Sequence, residues 1–181
     1  MIVGLSQRVI YHNGQAYDST DQAWYHYFKD QEIIPIPNRI DQDFKQLANK
    51  IDALVLTGGN DPNIRRITET RMATEMLLLN KPVVGICHGA FLLTTLNGGA
   101  VGIIEDHHGV SHRVYTNGEE HVVNSYHTMW INKAPENAIV LTTDYAGYCE
   151  SWIEGKMAAV VWHPERMKTP YLPKEVQNLL M

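Results

Sequence analysis

The sequence predicts an α/β protein with a mostly parallel central sheet and a more antiparallel C-terminal portion. Short apolar runs alternate with helical patterns through the first hundred or so residues, and after Gly99 short strand patterns alternate with turn residues instead. Alternation of strands and helices is typical of parallel sheets covered by helices on both faces, because each parallel connection must cross the sheet. The loss of helical patterns after Gly99 indicates strands joined by turns, which is an antiparallel arrangement.

The individual elements follow from apolar runs and their spacing. Predicted strands are 2–5, 33–36, 53–56 and 83–86 in the first half, and 120–124, 138–142 and 157–162 in the second. Predicted helices are 18–29, 41–50 and 64–79, with a closing helix over 172–181. The first two helices are expected to be capped by the Asp18-Ser19-Thr20 run and by Asp41. Ligands of parallel sheets bind beyond the carboxyl ends of the strands, so the segments after residues 56 and 86 are expected to carry a site.

The composition indicates a globular protein and argues against nucleic-acid-binding, membrane and secreted classes. A chain of 181 residues with 44% hydrophobic and 19% charged residues predicts a single globular domain over residues 1–181. A net charge of −5 argues against a nucleic-acid surface, and no apolar run is long enough to span a membrane. No secretory signal is visible, and two cysteines do not make a disulfide framework. The expected compartment is the cytoplasm, which would keep a catalytic thiol reduced.

The most informative segment is Gly-Ile-Cys-His-Gly at residues 85–89, where a strand pattern becomes a helix pattern. Such a turn exposes a nucleophile, because glycines on either side permit strained backbone angles and leave room around the reacting atom. The N-terminus of the following helix would favour the thiolate of Cys87 over the thiol. The sequence therefore predicts a cysteine nucleophile. Cys149 lacks such a setting and is interpreted as structural.

A thiolate nucleophile needs a base, and His163 is the best candidate among nine histidines. It follows an apolar strand and precedes Pro164-Glu165. Residues two apart in extended backbone project to the same side, so Glu165 is expected to orient the His163 ring toward Cys87. The amide of His88 and an amide of the Thr57-Gly58-Gly59-Asn60 turn are expected to stabilise an oxyanion.

Other polar residues have ordinary interpretations. Five histidines could ligate a metal, but their spacing does not match a compact site: His107, His108, His112, His121 and His127. We expect no metal and no organic cofactor, because thiolate chemistry and backbone donors suffice. Arg8 is either a surface residue or a ligand for a substrate phosphate or carboxylate, and the His88 side chain is expected at the pocket edge. Arg65, Arg66, Arg71 and Glu75 are expected to form ion pairs on a solvated helix face.

Four motifs together resemble a known family. They are Thr57-Gly58-Gly59-Asn60-Asp61-Pro62, Gly85-Ile86-Cys87-His88-Gly89, Val123-Asn124-Ser125-Tyr126-His127 and His163-Pro164-Glu165. Their order and spacing resemble class I glutamine amidotransferases, and most closely the γ-glutamyl hydrolase branch. The resemblance implies a flavodoxin-like three-layer α/β fold. It also implies a Cys87-His163-Glu165 triad and an oxyanion hole built from the amides of Gly59 and His88. Substrate contacts are assigned to Arg8, Asn60 and Phe91, and to the backbone of Asn124, Ser125 and Tyr126, which would hold the glutamyl α-amino and α-carboxyl groups.

The resemblance also has two departures. Relatives usually carry glutamine where this chain has Phe91, and often where it has Met129. The loss of the first glutamine makes free glutamine a doubtful substrate.

The leading hypothesis is a hydrolase that cleaves a γ-glutamyl amide bond through a glutamyl thioester on Cys87. The small-molecule substrate would be a γ-glutamyl amine or, with a weak preference, a γ-glutamyl nucleotide amidate. One alternative is a glutaminase subunit that supplies ammonia to a partner synthetase. A second is a non-catalytic or metal-binding module on the same fold.

Overall fold

The computed structural model describes residues 1–104 and 108–181, and the residues it describes form an eleven-stranded mixed sheet plus a separate two-stranded hairpin. The strands are β1 (Ile2–Ser6), β2 (Arg8–His12), β3 (Gln15–Ser19), β4 (Glu32–Ile36), β5 (Ala53–Leu56), β6 (Val83–Ile86), β7 (Ala100–Ile103), β8 (His108–Thr116), β9 (Glu119–Tyr126), β10 (Met129–Lys133), β11 (Ile139–Asp144), β12 (Cys149–Glu154) and β13 (Met157–Val160). The helices are α1 (Ala23–Tyr27), α2 (Phe44–Lys50), α3 (Asn63–Leu78), α4 (His88–Leu96) and α5 (Lys174–Gln177), with a 3-10 turn at Pro164–Arg166.

The predicted fold class is confirmed. The sheet order begins β4-β1-β5-β6-β13, and these five strands are all parallel to one another. It continues through β12, β11, β8 and β9 with antiparallel pairs, while β10 and β7 add an antiparallel branch at β12. Strands β5 and β6 are buried along their whole length, as expected for central parallel strands.

The helix predicted over residues 18–29 is wrong in its first half. Residues 15–19 form β3, which pairs with β2 across the Asn13-Gly14 turn. Both turn residues have positive φ, 49° and 75°, which is the backbone of a two-residue hairpin turn. Asp18 is held at the end of β3 because its carboxylate accepts a hydrogen bond from the Asn38 amide at 2.9 Å. The helix that remains is α1.

The predicted cap of the second helix is also wrong. Asp43, two residues beyond the predicted Asp41, accepts a hydrogen bond from the Gln46 amide at 2.9 Å and caps α2. Asp41 instead forms an exposed ion pair with Arg39 at 3.0 Å. The closing helix is shorter than predicted and is limited to α5.

The strand order places four segments next to one another, at the carboxyl ends of the parallel strands. Strands β1, β5, β6 and β13 are consecutive neighbours and parallel, so their carboxyl ends lie side by side. Ser6 ends β1, the 57–60 turn follows β5, Cys87 follows β6, and His163 lies just beyond β13. In the described residues, no helix is long and apolar enough to cross a membrane.

Candidate active site

Cys87 occupies a strained turn between β6 and α4. Its backbone has φ 52° and ψ −105°, a conformation that residues with a side chain rarely adopt and that costs about 1–3 kcal/mol. Its amide donates to the Val160 carbonyl at 2.9 Å, which ties the turn to the end of β13. A Cβ on Gly85 would lie 2.4 Å from the Gly89 carbonyl oxygen, so the close approach of these two residues requires glycine at 85. The turn has the backbone form that the sequence predicts for a nucleophile, but the expected exposure is wrong, because the Cys87 side chain is buried.

His163 and Glu165 form a buried hydrogen-bonded pair. The ring Nδ1 of His163 lies 2.6 Å from Oε1 of Glu165. A hydrogen on Nδ1 fits this contact, because a carboxylate oxygen accepts hydrogen bonds, and Nε2 lies on the other side of the ring. The residue pair is 2% and 8% exposed, so water competes little for this hydrogen bond.

The Asn124 side chain holds the backbone of His163. Its Nδ2 donates to the His163 carbonyl and its Oδ1 accepts from the His163 amide, both at 2.8 Å. This two-point contact satisfies both backbone groups of His163 where β13 has already ended. The prediction assigned Asn124 to substrate through its backbone, and sequence reasoning missed this side-chain role, since the two residues are 39 positions apart.

Gly58 lies next to both Cys87 and the ring of His163. A Cβ built on Gly58 would lie 2.3 Å from Cε1 and 3.0 Å from Nε2 of His163, and 3.3 Å from the Cβ of Cys87. The ring edge that carries Nε2 and the nucleophile therefore flank the same glycine. The three residues predicted as a triad are brought together by this arrangement.

Burial of the Cys87 side chain disfavours the thiolate form. Burial raises its pKa to about 11, although a hydrogen bond from the His88 amide and the positive charges of Arg166 and Arg65 act in the opposite direction. The expectation of a preformed thiolate is therefore not supported. A neutral thiol beside a ring nitrogen suits transfer of the proton during attack. Burial also raises the pKa of Cys149, to about 12, which fits a structural residue.

A cavity of about 210 Å³ opens over Cys87. Its lining comprises Gly59, Asp61, Cys87, His88, Phe91, His108, Tyr126, His127, Thr128 and Met129. Of the predicted substrate contacts, Phe91 and Tyr126 line this cavity, whereas Asn60, Ser125 and Arg8 do not. The two departures from the family pattern, Phe91 and Met129, both face the same space.

The remaining predicted contacts have other partners. Asn60 donates through Nδ2 to the Val9 carbonyl, and Ser125 is buried. Arg8 and Arg166 both bond Oδ2 of Asp21, at 3.1 and 2.9 Å. The Arg166 guanidinium also lies 5.1 Å from the centre of the Tyr126 ring. Arg166 also lies 3.7 Å from the Glu165 carboxylate, so two arginines and two carboxylates balance in charge here.

The prediction of a solvated face on α3 is wrong for Arg65. Its side chain is fully buried and pairs with Glu69 at 2.9 Å, four residues along α3. Arg66 is more than half exposed, as expected, and lies 3.8 Å from Asp61. The expectation that the His88 side chain merely lies at the pocket edge is incomplete. Its Nε2 is 3.0 Å from Oε2 of Glu69.

The other histidines have local partners. His112 Nε2 lies 3.3 Å from the Glu150 carboxylate, His121 stacks on Tyr171 at 3.7 Å, and His127 Nδ1 contacts the Met129 carbonyl at 2.6 Å. Within residues 1–104 and 108–181, no three His, Cys, Asp or Glu side chains are grouped to hold a metal ion. His107 lies outside the described residues.

Two known proteins are similar to this chain in sequence. The chain is 29% identical to a γ-glutamyl-CDP-amidate hydrolase of Campylobacter jejuni over 92% of its own length and 90% of that protein. It is 30% identical to a glutamine-hydrolysing GMP synthase of Corynebacterium ammoniagenes, over 70% of this chain but 26% of that larger protein.

Two solved structures share the fold. A glutamine amidotransferase of Thermotoga maritima superimposes with a TM-score of 0.70 at 16% identity, covering 91% of this chain and 76% of its own. A Thermoplasma acidophilum protein provisionally named as part of a GMP synthase gives a TM-score of 0.74 at 18% identity, covering 99% and 92% of the two chains. The model of the family "Glutamine amidotransferase class-I" matches residues 12–181. The chain therefore belongs to the class-I glutamine amidotransferase family.

Proposed function

We propose that this protein hydrolyses a γ-glutamyl amide bond with Cys87 as nucleophile, His163 as base and acid, and Glu165 as the residue that orients His163. The observation that carries the proposal is the convergence of Cys87 and the His163–Glu165 pair around Gly58. Membership of the amidotransferase family supports the reaction class.

The proposed reaction has two stages, formation of a glutamyl thioester and its hydrolysis. His163 Nε2 takes the proton of the neutral Cys87 thiol as the sulfur attacks the γ-carbonyl carbon, and a tetrahedral oxyanion forms. The amides of His88 and Gly59 donate to this oxygen. The protonated His163 then gives its proton to the leaving nitrogen, and the C–N bond breaks to leave a glutamyl thioester. Water, deprotonated by His163, attacks the thioester, which releases glutamate and restores the thiol.

The leaving group is proposed to be larger than ammonia. Phe91 is an apolar aromatic residue in the cavity, in contact with the His127 ring, where free glutamine would need hydrogen-bonding partners. The Campylobacter relative, which this chain matches along nearly its full length, is named for a nucleotide amidate. Arg8, which lies against Gly59 at the cavity, would then bind a phosphate of the leaving group.

A panel of γ-glutamyl compounds tests this proposal. Glutamate release is measured from γ-glutamyl-CDP-amidate, a γ-glutamyl amine and L-glutamine. We expect release from one of the first two, none from L-glutamine, and loss of release in Cys87→Ala. Cys149→Ala is the matched control and should keep full activity, since that thiol is buried on β12. Release that persists in Cys87→Ala would refute the assignment of the nucleophile.

The second candidate is a glutaminase subunit that supplies ammonia to a synthetase. The match to GMP synthase favours it, because the matched part is only about a quarter of that protein. Release from L-glutamine that requires a separate synthetase would favour this candidate. No release from any compound, with or without a partner, would favour a non-catalytic module on the same fold.

A further inference from the structure

A buried ion pair lies under the candidate oxyanion hole. Arg65 and Glu69 face each other on α3, with Nε and Oε1 2.9 Å apart and both side chains 0% exposed. A buried ion pair contributes little net stability compared with apolar residues of the same volume. Its bonding partners therefore indicate what it does.

The Arg65 guanidinium is bonded to the carbonyls of the turn after β5. Nη2 donates to the Thr57 carbonyl at 2.6 Å, and Nη1 donates to the Asn60 carbonyl at 2.9 Å. Nη1 also lies 3.4 Å from the Gly58 carbonyl. These three carbonyls thus point toward α3.

This arrangement orients the Gly59 amide. In a trans peptide the N–H points opposite to the C=O, so a Gly58 carbonyl turned toward Arg65 directs the Gly59 N–H away from it. Gly59 has φ +131°, and a peptide between two glycines rotates with little steric restraint. The orientation of this amide therefore depends on the hydrogen bonds that its neighbours make.

Glu69 connects the same turn to the nucleophile. Its Oε1 accepts from the Ser6 hydroxyl at 2.6 Å, and Ser6 Oγ in turn accepts from the Thr57 amide at 2.9 Å. Its Oε2 is 3.0 Å from His88 Nε2. Burial alone would raise the pKa of the Glu69 carboxyl, but the bonds and charges of His88, Arg65 and Ser6 outweigh it and lower the pKa below its usual value. The carboxylate is ionised and acts only as an acceptor, so His88 Nε2 carries a hydrogen.

We propose that Arg65 and Glu69 are positioning residues that set the orientation of both oxyanion donors, the Gly59 amide through Arg65 and the His88 amide through the His88 side chain. One carboxylate thereby holds two segments that follow different strands, β5 and β6. This rests on the proposed function, in which those amides receive the negative charge of the tetrahedral intermediate.

The test separates turnover from thiol reactivity. Alkylation of Cys87 by iodoacetamide needs the thiol but forms no oxyanion, whereas hydrolysis of the best compound in the γ-glutamyl panel needs both. Arg65→Lys keeps the positive charge, but its single nitrogen has three donors, too few for the three carbonyls and Glu69 together. We expect its kcat to fall by about 100-fold, with KM and the alkylation rate changed by less than about threefold. Arg71→Lys, farther along α3 and bonded to the Ile40 carbonyl, is the control and should match the wild type.

A second pair of variants tests the proposal even if Arg65→Lys does not fold. His88 lines the cavity and its side chain is 11% exposed, so a change there disturbs the packing less than one at the fully buried Arg65. His88→Gln can still donate to Glu69 from its amide nitrogen, whereas His88→Ala cannot. We expect kcat of His88→Ala to be about tenfold below that of His88→Gln, with alkylation rates that agree within about threefold.

Two results would overturn the proposal. One is kcat within about threefold of wild type in Arg65→Lys and equal kcat in the two His88 variants. The other is a parallel fall of kcat and alkylation, which would indicate general support of the fold. Failure of the proposed function has a different signature: turnover that persists in Cys87→Ala, or no turnover of any panel compound by the wild type. In that case the proposed positioning role of Arg65 and Glu69 is refuted together with the proposed function.

Discussion

Replacement of Gly58 by alanine tests the convergence of the cysteine and the histidine most directly. Gly58 has no positive φ, so alanine is compatible with its backbone. The added methyl group would lie 2.3 Å from Cε1 of His163, about 1.2 Å closer than the ~3.5 Å at which two carbon atoms normally meet. The substitution is therefore expected to displace the His163 ring.

The size of the expected loss in rate follows from the hydrogen bonds that hold His163. Nδ1 is bonded to Glu165 at 2.6 Å, and Asn124 bonds both backbone groups of His163. The ring cannot retreat without lengthening these bonds, so a displacement of about 1 Å at Nε2 is expected. A misplacement of that size costs about 100-fold in rate, or about 2.7 kcal/mol of transition-state stabilisation.

The assay is kcat for glutamate release, together with the melting temperature. Gly99→Ala is the matched control, because its Cβ would lie 2.6 Å from the Lys133 carbonyl oxygen, at the end of α4 opposite to Cys87. We expect both variants to lose stability but only Gly58→Ala to lose about 100-fold in kcat. Equal kcat values in the two variants would refute the reasoning.

Three further predictions concern the site. Glu165→Gln keeps the shape but loses the carboxylate that orients His163, so kcat should fall by about 10²- to 10⁴-fold, and a change below threefold in steady-state assays would contradict the assigned role. Burial raises the pKa of Cys87 to about 11, so the rate of its alkylation by iodoacetamide should rise about tenfold per pH unit between about pH 7 and pH 9. A rate already constant near pH 7 would instead indicate a thiolate paired with His163. Phe91→Gln should raise kcat/KM for L-glutamine about tenfold by supplying hydrogen-bonding groups to the cavity, and an unchanged value in the glutamate-release assay would show that Phe91 does not exclude glutamine.

Local signals predicted much of this molecule. The central strands at 53–56 and 83–86 match β5 and β6, because continuous apolar runs of that length fit buried parallel strands. The Gly-Ile-Cys-His-Gly segment matches a strained turn, since its glycines permit a contact that no side chain allows. The hairpin of β2 and β3 was missed although a local signal was present: Asn13-Gly14 is the dipeptide such turns prefer.

Other features of the structure cannot be predicted from a short segment of the sequence. The spacing of Arg65 and Glu69 is equally suited to an exposed ion pair, and only the packing of α3 beneath the β5 turn buries it. Asn124 meets His163 across 39 residues because β9 ends near the end of β13, which no short-range pattern records.

The sequence by itself determined the fold class, the strained turn at Cys87 and the proximity of His163 to Glu165, because each depends on residues close together in the chain. Only the tertiary structure decided that the Cys87 side chain is buried, that Asn124 bonds both backbone groups of His163, and that the Glu69 carboxylate is buried under the 57–60 turn. These depend on which strands are neighbours and on how far water is excluded, and both are properties of the assembled sheet rather than of any segment within it.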